Sequence, residues 1–332
     1  MNYKAVKLVK RPETSIKADS FELVEMSTPA LTTGQFLIKQ THMSLDPAMR
    51  GWMSSATDSY IPPVQLGDIM RSSGVGEVVE SQNDNFPVGT KVAGMMGWTE
   101  YLVSSGQGIS VMPKELPAEA ILSVLALPGV TAYHGFVELA KPKAGETVLV
   151  SGAAGSVGTI VGQIAKAEGL RVIGVAGSEE KCRWLTEELG FDAAINYKTE
   201  DLNAAIKAAA PNGIDIYFEN TGGPVQHAAF ANMNTFGRIV VCGVISDYNA
   251  ETPALGPSWI NIVKKRLNIQ GFAMPDQMHR FGELSQKVGA YLMAGKIKYR
   301  SHVLEGLESA IDGINLLFTG GNEGKLIVKL SS

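Results

Sequence analysis

The stretch Thr147-Val148-Leu149-Val150-Ser151-Gly152-Ala153-Ala154-Gly155-Ser156-Val157-Gly158-Thr159-Ile160-Val161-Gly162-Gln163-Ile164-Ala165-Lys166 reads as strand, tight glycine turn, helix. Small residues at 153, 155 and 158 permit the turn and bring backbone close to a pyrophosphate. They also let the helix pack on its strand with its positive N-terminus facing phosphate. Such turns also occur for packing alone, so the pattern by itself is weak. A second strand one helix later, Arg171-Val172-Ile173-Gly174-Val175-Ala176, supplies the context a dinucleotide-binding unit requires.

The residues after that second strand bear on which dinucleotide. An NAD site carries an Asp or Glu about 20 residues on, accepting the ribose hydroxyls, whereas a 2′-phosphate calls for cations and no carboxylate. Here the strand runs into Ala176-Gly177-Ser178-Glu179-Glu180-Lys181. The strand end is neutral, Ser178 can donate to a phosphate, and Lys181 supplies positive charge, which favours NADP(H) over NAD. Against this, Glu179 and Glu180 read equally as first-turn acids of a helix, with Lys181 a solvated surface residue.

Outward from this unit the chain divides by composition. Up to residue 125, short β-rich segments such as 35–40, 74–80 and 90–94 are separated by turn signals such as Pro62-Pro63 and Asn83-Asp84-Asn85, predicting a mostly antiparallel, barrel-like domain. From 126 to 270 strands and helices alternate, with strands at 148–150, 172–175, 193–196, 214–219, 238–243 and 268–272. This predicts an α/β doubly wound parallel sheet with its ligand at the strand carboxyl ends. Residues 271–332 hold a helix near 275–294 and a last strand, 325–330, expected to complete the nucleotide domain and return to the first.

Composition excludes several classes. With 45% hydrophobic and 19% charged residues in 332, the chain has material for two globular cores. A net charge of −4 and the short Lys264-Lys265-Arg266 cluster argue against nucleic-acid binding. No apolar stretch is expected to span a bilayer, the N-terminus lacks the apolar core of a signal peptide, and the expected localisation is cytoplasmic. Two cysteines, Cys182 and Cys242, and five scattered histidines give no disulfide framework and no metal-ligand spacing.

Several segments together carry a family resemblance: Ser44–Met53, Leu127–Tyr133, the glycine turn, Asn196-Tyr197-Lys198, Glu219-Asn220-Thr221-Gly222-Gly223, Cys242–Asn249 and Gly321–Lys325. On these the chain resembles the medium-chain dehydrogenase/reductase superfamily, over nearly its whole length. Within it the similarity is to the zinc-free leukotriene B4 dehydrogenase, prostaglandin reductase and alkenal double-bond reductase group. The resemblance implies a GroES-like barrel domain, a Rossmann domain, NADPH as cofactor, and reduction of carbon–carbon double bonds conjugated to a carbonyl. Zinc-containing relatives place a Cys where this chain has Ser44 and Gly-His-Glu where it has Gly67-Asp68-Ile69, which implies metal-free chemistry.

Carried over by position, the resemblance gives the pyrophosphate to Ala154, Gly155, Ser156, Val157 and Gly158. The 2′-phosphate falls to Ser178, Lys181 and Tyr197, and adenine-side or ribose contacts fall to Asn220. Thr131, Cys242, Gly243, Val244, Ile245, Ser246, Tyr248, Phe272, Ala273, Met274 and Asn322 complete the cofactor set. On physical grounds alone, Cys242 reads equally as a small core residue, Tyr197 as cover for the sheet edge, and Asn220 as a local turn former. Homodimers joined through edge strands of the nucleotide domain are also implied, with the apolar segment Arg238–Ile245 and the Pro-rich Thr252–Pro257 stretch as the expected edge.

The chemistry this predicts is hydride delivery to the β-carbon of an enone or enal, followed by protonation of the enolate at the α-carbon. With no metal, hydrogen-bond donors must stabilise the oxyanion. Relatives often carry a tyrosine where this chain has Lys264, and an aromatic where it has Ala48. The remaining candidate catalytic residue is Tyr60, in Ser59-Tyr60-Ile61-Pro62-Pro63, with a loop-anchoring role as its alternative and a ribose hydroxyl or water as alternative donors. Trp52, Met53, Tyr60, Tyr248, Trp259 and Met274 would line an apolar, aromatic substrate pocket, though several also read as core. A quinone reductase and a non-catalytic NADPH-binding protein remain open alternatives.

Overall fold

Alternating residues in the first third pair as antiparallel strands. In the computed structural model, which describes residues 1–330, these are β1 (Asn2–Leu8), β2 (Phe21–Ser27), β3 (Phe36–Ser44), β4 (Ser73–Ser81), β5 (Lys91–Met95), β6 (Tyr101–Ser104) and β7 (Ile109–Val111). β1 and β2 form a two-stranded ribbon, whereas β3 pairs with both β4 and β6 and β5 bridges β4 to β7.

The next six strands are β8 (Thr147–Val150), β9 (Arg171–Ala176), β10 (Ala193–Asn196), β11 (Ile214–Glu219), β12 (Met233–Val241) and β13 (Asn268–Gly271). They lie in the order β10-β9-β8-β11-β12-β13, every pair parallel. All four residues of β8 are buried, as a strand covered by helices on both faces must be. The strand order reverses between β8 and β11, and it is at the carboxyl ends of such a switch point that doubly wound sheets bind ligands. The last two strands, β14 (Ser301–Glu305) and β15 (Lys325–Lys329), join the barrel sheet, β15 pairing antiparallel with β3.

The chain thus forms two units, residues 1–126 with 301 onward, and residues 127–300. The first unit is centred on a cluster that includes Leu8, Met43, Leu45, Met49, Met53, Trp98 and Val328. Its returning strand is fixed by a buried ion pair: Lys325 Nζ lies 2.8 Å from Asp46 Oδ1 and donates to the Leu45 carbonyl at 2.7 Å. Ser44, where zinc-containing relatives place a ligand, donates its hydroxyl to the other oxygen of Asp46.

Residues 271–300 lie in the parallel-sheet unit, where Leu284 of the helix Phe281–Met293 packs with Val130 and Met274. Two sequence expectations differ from the structure. β12 begins at Met233 rather than 238, passing through a left-handed Phe236 (φ 63°) with a register shift against β11. The expectation that no apolar stretch reaches membrane-spanning length is corrected. The helical stretch Ala118–Ala140 has 23 residues with a hydropathy of 1.6, but 78% of its apolar window is buried inside the protein, as in a core helix.

Candidate functional site

At the end of β8 the helix Ser156–Ala167 starts from an extended Gly155 that offers no side-chain cap. Its first α-helical bond runs from Thr159 N–H to the Gly155 carbonyl at 3.0 Å, so the amides of Ser156, Val157 and Gly158 stand at an uncapped, positive N-terminus. A Cβ on Gly158 would lie 2.5 Å from the Gly152 carbonyl oxygen and 2.8 Å from Ala153 Cα. This cradle fits a pyrophosphate: close-packed backbone, free amides and no competing side chain.

At the end of β9, Ser178 caps the helix Glu179–Arg183, its hydroxyl accepting from Lys181 N–H at 3.3 Å. The hydroxyl hydrogen remains available to donate. Tyr197 lies over the same strand end, since a Cβ on Gly177 would fall 2.9 Å from its ring. Lys198 Nζ stands 5.9 Å from the Tyr197 ring centroid and adds a cation that sequence reading did not single out, although it closes the quoted Asn196-Tyr197-Lys198 segment. Glu179, one of the two acids that counted against a phosphate here, accepts from Asn196 Nδ2 at 2.8 Å.

At the end of β11 a carboxylate organises the loop. Glu219 is fully buried, and its Oε1 accepts from the Thr221 amide (2.7 Å), the Ser151 hydroxyl (2.8 Å) and the Gly222 amide (3.0 Å). The Asn220 amide nitrogen donates to the Ser151 hydroxyl, and Asn220 Nδ2 donates to the Ser151 carbonyl at 2.7 Å. Burial first, then the Glu219 charge, hold the Tyr217 hydroxyl well above the ordinary tyrosine range. Sequence reading missed Glu219 as a functional residue, its only signal being an acid closing an apolar strand.

The loop after β12 hangs on the loop after β11. Cys242 and Gly243 amides donate to the Glu219 carbonyl, Ile245 to that of Asn220, and Ser246 to that of Thr221. Val244 precedes a short 3-10 turn over 245–247, and a Cβ on Gly243 would meet the Tyr248 hydroxyl at 2.9 Å. Burial and Glu219 push the Cys242 thiol up to about 12, so it carries no thiolate at neutral pH. Beyond β13, the Phe272 ring stands edge-on to His134 with centroids 5.5 Å apart. Ala273 is extended, and Met274 is buried. Thr131 is nearly buried and donates to its own helix at the Leu127 carbonyl.

The parallel-sheet unit therefore gathers Ala154–Gly158, Ser178, Lys181, Tyr197, Asn220, Cys242–Ser246 and Tyr248 at the carboxyl ends of five successive strands. Four candidates belong to the other unit. Tyr60 is 59% exposed on its loop, Trp52 and Met53 pack into the core cluster, and Asn322 Nδ2 donates to the Gly324 carbonyl. Trp259 is 81% exposed at the start of the helix Ile260–Lys265. Among the described residues, no group of three or more His, Cys, Asp or Glu side chains is placed to hold a metal ion.

Comparison with known proteins accords with this arrangement. A family model for the N-terminal domain of oxidoreductases matches residues 4–112, and a zinc-binding dehydrogenase model matches residues 156–289. The NADPH-dependent curcumin reductase of Escherichia coli is 40% identical over 332 residues, covering 98% of this chain and 96% of that protein. Bovine prostaglandin reductase 1 (Bos taurus) is 43% identical over 320 residues, covering 93% of each. The crystal structure of CurA from Vibrio vulnificus in complex with NADPH superposes with a TM-score of 0.93 at 38% identity, covering 99% of both chains. Two units of this topology, a phosphate cradle at the switch point and this degree of likeness place the chain in the medium-chain dehydrogenase/reductase superfamily, within its zinc-free prostaglandin and alkenal reductase group.

Proposed function

We propose that this protein is an NADPH-dependent reductase of the carbon–carbon double bond of α,β-unsaturated aldehydes and ketones. The observation that carries the cofactor half is the end of β9, where Ser178, Lys181 and Tyr197 stand with no carboxylate at the strand terminus and Glu179 is engaged by Asn196. Bound NADPH supplies the hydride. The chain's own part is to hold the pyrophosphate on the amides of the Ser156 helix and the 2′-phosphate on Ser178, Lys181 and Tyr197. Tyr60 donates a hydrogen bond to the substrate oxygen as negative charge develops there.

Copies of the chain pair through β13. It is the outermost strand of the parallel sheet and all four of its residues are exposed, whereas the expected edge segment from Arg238 lies in β12, paired on both sides by β11 and β13. The functional test follows NADPH and NADH oxidation by the pure protein against a 2-alkenal, an aryl enone and a simple quinone. Enone-dependent loss of NADPH, much slower with NADH, is the expected result. Turnover of the quinone alone, or none despite NADPH binding, would overturn the reading.

A further inference from the structure

We propose that Glu219 is a positioning residue for the cofactor, acting through the Ser151 hydroxyl to fix the Asn220 backbone, from which the Asn220 side chain reaches the Ser151 carbonyl with its nitrogen and offers its own carbonyl oxygen to the nucleotide. The assignment rests on the reading above that NADPH occupies these strand ends. Its basis is one chain of hydrogen bonds with a fixed direction. A carboxylate only accepts, so the Ser151 hydroxyl, 2.8 Å from Glu219 Oε1, must donate to it and turn a lone pair to the backbone N–H of Asn220, also at 2.8 Å. A backbone carbonyl likewise only accepts, so the Asn220 side-chain atom 2.7 Å from the Ser151 carbonyl is Nδ2. The inward nitrogen leaves Oδ1 as the outward atom, an acceptor suited to a sugar hydroxyl.

A merely structural residue here would not need a charge. Burying a carboxylate is costly unless it is well hydrogen-bonded, and Glu219 concentrates its bonds on a single oxygen while Oε2, also buried, has no hydrogen-bond partner. The three close donors to Oε1 come from the ends of two strands: Ser151 after β8, and Thr221 and Gly222 after β11. The Glu219 backbone carbonyl accepts from Cys242 and Gly243 after β12. The side chain therefore ties the loops after β8 and β11 together around Asn220 with charge-assisted bonds, whereas the bonds to the β12 loop come from the backbone carbonyl and are kept when the side chain is changed.

The test is a double-mutant cycle on NADPH affinity, read by fluorescence titration, with Glu219→Gln, Asn220→Ala and the double variant. E219Q keeps shape and one acceptor but loses the charge. It is expected to raise the NADPH Kd about tenfold and to raise KM for NADPH more than it lowers kcat. In the Asn220→Ala background it is expected to have less than a twofold further effect, because its action passes through Asn220. Should E219Q fail to fold, Ser151→Ala takes its place in the same cycle with the same expectation. Wild-type affinity in E219Q, or effects that multiply with Asn220→Ala, would overturn the assignment alone. Wild-type protein that does not bind NADPH would overturn the functional reading and this assignment with it.

Discussion

The strand ends of the parallel sheet and the loop around Tyr60 are built in opposite ways. At the strand ends Ser151, Glu219, Asn220, Thr221 and the amides of Cys242, Gly243, Ile245 and Ser246 form one continuous hydrogen-bond system. Around Tyr60, residues 55–60 are all exposed, and the loop runs to Pro62-Pro63. In the proposed function the cofactor would be held by close-packed backbone of the first kind, and Tyr60 would be offered to the substrate from an exposed loop of the second.

The sharpest way to break this contrast is to crowd the committed region. Gly158→Val would place a Cβ 2.5 Å from the Gly152 carbonyl oxygen and force the helix Ser156–Ala167 away from its strand. NADPH Kd is expected to rise about a thousandfold, roughly 4 kcal/mol, at the upper end of what overpacking a tight backbone contact costs. Titration of NADPH with a melting curve alongside checks it. Unchanged affinity would show that the cradle is not where the pyrophosphate lies.

The complementary change is at the exposed loop. Tyr60→Phe removes one hydroxyl and leaves the ring, so the melting temperature and NADPH affinity are expected to stay as in the wild type. Enone turnover is expected to fall about a hundredfold, the loss typical of an oxyanion donor. Steady-state kinetics at saturating NADPH reads it. Wild-type turnover would leave a ribose hydroxyl or water as the donor and make Tyr60 a loop anchor.

The same contrast explains what could be read from the sequence. Strands β8 to β11 were legible to within about a residue because a strand covered on both faces is a continuous apolar run closed by glycine or a charge. The apolar helical stretch 118–140 was not, since it is buried on most sides and so has no amphipathic period, and Pro128 and Gly129 interrupt it as a loop would. Within the site, Ser178 could be named because it stands two residues past a strand and directly before a helix. Glu219 could not, because the fold alone brings the Ser151 hydroxyl, from the end of another strand, to the oxygen that also takes the Thr221 and Gly222 amides. Asn220 was named for a contact with the cofactor, whereas its nitrogen is spent on Ser151 and only its oxygen remains to make that contact.

The smallest expected effect sharpens the cofactor assignment rather than the fold. Lys181 lies in the first turn of its helix with its backbone amide bonded to Ser178, so Lys181→Ala preserves the cap while removing the side-chain cation. A partly exposed cation facing a phosphate contributes modestly, and NADPH Kd is expected to rise about tenfold, near 1.4 kcal/mol. NADH lacks the 2′-phosphate, so its affinity is expected to stay within twofold and the NADPH preference to shrink by the same factor. Added salt should weaken NADPH binding to the wild type more than to Lys181→Ala, because screening acts on the charge that the variant has lost. Equal losses for NADPH and NADH would mean that Lys181 supports the helix start, and would transfer the phosphate to Tyr197 and the neighbouring Lys198.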